Sequence, residues 1–83
     1  MKIADLRKVL AEQSVSRRAF SIDGVDEAEA QYRLERDGRY WTTYYYERGE
    51  RISPRDFASE DEACNYFLDW VLGDPTTRRK PAR

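Results

Sequence analysis

Ile3, Leu6, Val9 and Leu10 recur at helical spacing, with Arg7 and Lys8 on the opposite side, which predicts an amphipathic helix from Ile3 to Gln13 that ends near Ser14. Ala19, Phe20 and Ile22 alternate weakly as a short strand before Asp23-Gly24 and acidic residues break the pattern. From Tyr32 to Arg36 the chain alternates with period two, Asp37-Gly38 follows, and Arg39 to Tyr46 alternates again. That is the pattern of a hairpin with a type I′ turn at Asp37-Gly38. This loop would set Arg36 opposite Arg39, Leu34 opposite Trp41 and Tyr32 opposite Thr43. Tyr32, Leu34, Trp41, Thr43 and Tyr45 would then share a core face. Arg33, Glu35, Tyr40, Thr42, Tyr44 and Tyr46 would share the other.

A second turn at Glu47-Arg48-Gly49-Glu50 leads into Arg51 to Phe57, where Pro54 lacks a backbone donor and marks an edge strand or a bulge. Ser59 and Glu62 form a capping box before Ala63, Tyr66, Phe67, Trp70 and Val71, whose spacing predicts a helix over the apolar sheet face. Gly73 and Pro75 end it. The expected fold class is α+β: an N-terminal helix, a small antiparallel meander of three to four strands, and a C-terminal helix packed on one sheet face. Residues 1–75 form one domain, and 76–83 a flexible basic tail.

Composition narrows the function. A chain of 83 residues buries only roughly 60% of its unfolded surface, which leaves little room for a deep substrate pocket beside a core. There is no His, the commonest general base, and the single Cys excludes a disulfide framework and a multi-Cys zinc site. No enzymatic activity, cofactor or metal is expected. Cys64 falls in the apolar helix stripe as a small hydrophobe. No long apolar run follows the N-terminal basic residues, so neither a signal peptide nor a membrane span is expected and the cytoplasm is the anticipated location. The net charge is −1 and the pI about 5.5. Basic segments (1–20 and 76–83) alternate with acidic ones (21–37 and 58–75), which argues against a continuous basic face for nucleic acid and fits an electrostatically patterned protein partner.

Five of the eleven aromatics lie in the run Tyr40 to Tyr46, too many for one sheet face to bury. Outward aromatics beside arginines have the composition of an interface centre. The candidate partner-binding residues are Tyr40, Tyr44, Tyr46 and Arg48, supported by Arg33, Glu47 and Arg51. The bland alternative is an ordinary solvated sheet face. The acidic stretch Asp23, Asp26, Glu27 and Glu29 is a weaker candidate for meeting a basic cleft, and the run Arg78-Arg79-Lys80 reads as a solubilising end.

The segments Tyr32 to Gly38, Trp41, Tyr44 to Gly49, Phe57 to Cys64 and Asp74 to Arg78 together resemble small bacterial immunity proteins encoded beside polymorphic toxins. The resemblance is to those paired with NAD-glycohydrolase toxins of the tuberculosis-necrotizing-toxin type, and covers roughly residues 30 to 78. It implies an antitoxin that docks over the toxin's active-site cleft and excludes the dinucleotide. It supplies no residue-level binding motif, so the candidate residues rest on surface chemistry. A second class remains open: a small nucleic-acid-binding or regulatory module that stacks bases on the aromatic face, with Arg33, Arg39 and Arg48 near the phosphates. A third is a small enzyme built on carboxylates.

Overall fold

The computed structural model describes residues 1–24 and 30–78. The first helix, α1 (Ile3–Glu12), buries Leu6 and Leu10 completely. Its free N-terminal donors are met by carboxylates: Asp5 accepts from the Lys2 backbone N–H at 2.9 Å, and Glu60 accepts from that of Ile3 at 2.8 Å. At the other end Ser14 takes the left-handed region (φ 59°), its N–H bonds the Ala11 carbonyl, and the Val15 N–H reaches back to Leu10. This is a Schellman stop built on serine where glycine is usual, and it drops Val15 into the core beside Leu10.

Four strands follow: β1 (Phe20–Ile22), β2 (Ala30–Asp37), β3 (Tyr40–Glu47) and β4 (Glu50–Phe57), in the order β1-β2-β3-β4. The fold is α+β, as expected. The sheet is mixed, because β1 runs parallel to β2 with Phe20 beside Tyr32 and Ile22 beside Leu34. Only β2 to β4 form the antiparallel meander. The expected acidic stretch at Asp26, Glu27 and Glu29 lies outside the described residues.

The first turn differs from the expectation in position and type. The β2–β3 loop is Gly38-Arg39, and only Gly38 has positive φ (60°), the requirement of a type II′ turn. The β3–β4 loop is Arg48-Gly49 with φ of 50° and 83°, the pair that type I′ demands. Moving the first loop one residue along pairs Leu34 with Thr43, Tyr32 with Tyr45 and Arg36 with Trp41. Each partner thus shifts by two, an even step that leaves every side chain on its anticipated face. In β4, Ser53 (φ 53°) and Pro54 together oppose Tyr44, a bulge in an edge strand.

Helix α2 (Glu60–Leu72) starts on Ser59, whose hydroxyl accepts from the Glu62 N–H at 3.1 Å. It lays Ala63, Cys64, Phe67 and Val71 on the sheet face carrying Ile22, Tyr32, Leu34 and Phe57, and α1 completes the core with Leu6 and Leu10. Gly73 caps it in the right-handed region, where an added Cβ would come within 3.1 Å of the Asp69 carbonyl. The chain then stays docked through Arg78, not free from residue 76. Pro75–Thr77 is a 3₁₀ turn, Thr77 is buried with its hydroxyl on the Val71 carbonyl, and Ser16 donates to the Thr77 carbonyl at 2.7 Å. Val15 and Arg78 form an antiparallel bridge. Among the described residues no helix is long and apolar enough to cross a membrane.

Candidate protein-binding face

Both helices lie on one side of the sheet, so the other side is formed by Gln31, Arg33 and Glu35 of β2, Tyr40, Thr42, Tyr44 and Tyr46 of β3, and Arg51 and Asp56 of β4. At its centre Arg33 lies beside Tyr44 in register, yet its guanidinium covers the Tyr46 ring at 3.9 Å. Arg51 lies beside Tyr46 and covers the Tyr44 ring at 4.5 Å. The two arginines therefore cross diagonally over two tyrosines from opposite sides of β3, within the reach of long side chains across a sheet.

Carboxylate and amide groups lock this arrangement. The Tyr44 hydroxyl donates to Glu35 at 2.7 Å, Arg51 sits 3.6 Å from the same carboxylate, and Arg33 donates to the Gln31 side-chain oxygen at 2.9 Å. Burial, then the Glu35 hydrogen bond, pushes the Tyr44 hydroxyl up from its ordinary value. Farther along, Thr42 donates to Asp56 at 2.7 Å.

The candidate residues divide into three groups. Arg33, Tyr46 and Arg51 come together with Tyr44, but Tyr44 is only 2% exposed and serves as the floor of the patch; its ring is not an outward contact surface. Burial of Tyr44 comes with the Arg51 guanidinium that lies over its ring, which a count of outward aromatics does not reveal. Glu47 and Arg48 are exposed at the adjoining β3–β4 tip. Tyr40, 54% exposed, stands at the opposite end beside Asp37, about 20 Å from the tip at the usual strand rise, so it is not part of the cluster.

Glu35, expected on this face but not among the binding residues, and Gln31, not singled out in the sequence, organise the patch. The period-two spacing with Arg33 was the available signal. Arg78 bonds the Leu72 carbonyl at 2.9 Å, while Arg79 and Lys80 lie outside the described residues. Cys64 is wholly buried and its thiol is pushed up to about 11 by burial, which suits a packing role. Among the described residues no three His, Cys, Asp or Glu side chains gather as a metal site. Comparison with models of protein families, with curated proteins and with solved structures finds no match to this chain, so the resemblance to immunity proteins rests on the residues quoted for it.

Proposed function

We propose that this chain is a protein-binding inhibitor, an immunity protein that neutralises an NAD-glycohydrolase toxin in the cytoplasm by covering its active-site cleft. The observation that carries the binding half of this reading is the locked Arg33–Tyr46–Arg51–Tyr44 patch on a sheet face that no described element covers. Its side chains are already held in place, so a partner would order little on contact, and that saving favours tight association. The toxin half rests on the sequence resemblance.

Size sets how a partner would have to sit. Three eight-residue strands, β2 to β4, at about 4.8 Å spacing and about 3.3 Å rise give a face of roughly 14 by 26 Å, or about 370 Å² in projection. A standard interface takes about 800 Å² per partner. The partner therefore engages the Glu47–Glu50 tip and the exposed β4 edge as well, which brings Arg48 and Glu47 into the contact. Inhibition is steric and requires no chemistry from this chain.

Base stacking is the less favoured alternative, because the tyrosine faces it needs are occupied by guanidiniums at 3.9 and 4.5 Å. The test is titration of this protein into a purified NAD-glycohydrolase toxin from the same locus while NAD consumption is followed. Stoichiometric loss of activity is expected, and full activity at excess protein would overturn the toxin assignment.

A further inference from the structure

A second feature lies on the helix-bearing side of the sheet. Where β2 begins and β3 ends, Ala19, Tyr32, Tyr45, Asp74, Thr76 and Thr77 line a half-open cavity of about 130 Å³. At about 30 Å³ per water, that volume holds roughly four waters, or one side-chain head group. Two of its walls are tyrosines set edge to face with centroids 4.8 Å apart, and Trp70 backs Tyr32 at the same distance.

The cavity is also negative. One Asp74 oxygen accepts from the Thr76 N–H and hydroxyl at 3.0 and 2.6 Å, and the other accepts from the Tyr32 hydroxyl at 3.0 Å. These bonds hold the Asp74 carboxyl below its usual range, the Thr76 contacts contributing most. The Tyr45 hydroxyl is raised by burial and then by the fields of Glu47 and Asp74. No cation answers Asp74 among the described residues, and Arg78, four positions on, places its guanidinium on the Leu72 carbonyl.

An ionised carboxylate without a counter-charge among the described residues, beside aromatic walls and a space for one head group, is the recognition chemistry of an organic cation. We propose that this cavity binds an ammonium or guanidinium group, with Tyr45 and Tyr32 as the aromatic walls and Asp74 as the counter-ion. The site opens on the helix-bearing side of the sheet and meets the tyrosine–arginine face only at Gln31, and its test requires no toxin.

The experiment is an amide chemical-shift titration of the full chain with N-acetyl-argininamide, methylguanidinium and the neutral isostere N-acetyl-citrullinamide. Saturable shifts at Ala19, Tyr32, Tyr45 and Thr76 are expected for a guanidinium, with a dissociation constant of about 1 mM and at least about tenfold weaker binding of the citrulline compound. Binding of argininamide identifies a peptide-borne side chain as a fitting source. Binding of methylguanidinium alone identifies a small free cation. Asp74→Asn and Tyr45→Leu should each weaken the guanidinium by about fivefold or more, and Tyr45→Leu leaves the Tyr32–Asp74 tie intact should the first variant fold poorly. Absence of saturable shifts with both cations, or equal binding of the citrulline compound, overturns the proposal.

Discussion

The hydroxyl of Tyr44 offers a direct reading of how firmly the open face is built. Tyr44→Phe keeps the ring under Arg51 and removes the 2.7 Å bond to Glu35 together with the hydroxyl's contact to the Arg33 side chain. Hydrogen bonds to charged groups contribute about 1.5–3 kcal/mol. The Glu35 side chain is 30% exposed and keeps Arg51 at 3.6 Å, so water and the guanidinium recover part of the loss. The expected cost is about 1–2 kcal/mol, which for a domain of this size lowers the melting temperature by roughly 5–15 °C. Urea unfolding followed through Trp41 and Trp70 fluorescence measures it, with an unchanged m-value as the check that only stability moved. In a Glu35→Ala background the same substitution should cost clearly less, because its acceptor is gone and only the Arg33 contact remains, giving a coupling of about 1 kcal/mol. An equal cost in both backgrounds would refute the network.

Other perturbations follow from the same geometry. Arg48 holds φ 50° in a type I′ turn, so Arg48→Asn should raise stability by a few tenths to about 1 kcal/mol in thermal melts while weakening partner binding; unaltered affinity would remove Arg48 from the interface. Ser14→Gly should stabilise by about 0.5–1 kcal/mol, since it relieves the left-handed serine of the α1 stop, and a loss of stability would contradict that motif. Tyr32 is pushed up to about 12 by burial and its bond to Asp74, against about 10 when unfolded, and Tyr44 and Tyr45 are raised too. A raised folded value gives its full stabilisation below pH 10 and loses it as pH climbs toward 12, so the melting temperature should fall over that interval, less steeply in Tyr32→Phe. Cys64 should resist a thiol reagent in the native protein and react at the rate of global unfolding; prompt labelling would place it outside the core.

The elements legible in the chain were those whose signals are local. Helix spacing at Leu6 and Leu10, the Ser59–Glu62 cap and period-two alternation in β2 and β3 each depend on neighbours a few residues apart, and all three match the structure. The hairpin register was misjudged because Asp37-Gly38 and Gly38-Arg39 both satisfy a two-residue loop; the backbone places glycine at the first position. The parallel direction of β1 and the docking of Thr77 depend on contacts between distant segments, such as the Ser16 N–H with the Thr77 carbonyl, for which no local pattern exists. Tyr44 falls on the expected face, yet its exposure depends on whether Arg51 of the neighbouring strand folds over it.

The contacts that join the two ends of the described chain set the order in which it can fold. The β2–β3–β4 meander closes through loops of two residues, so its pairings cost little loop entropy and can form within microseconds. By contrast the Ile3–Glu60 bond closes 57 residues, and the Val15–Arg78 bridge spans a similar stretch. The meander is therefore the natural nucleus, with α1 and the C-terminal turn joining after the transition state. Substitutions at Leu34 would slow refolding, whereas those at Val15 and Thr77 would chiefly speed unfolding, and a chevron series in which Val15→Ala slows refolding as much as Leu34→Ala would reject this order. The last segments to dock are also the first to leave, so the Asp74–Thr77 wall of the aromatic cavity belongs to the least protected part of the fold.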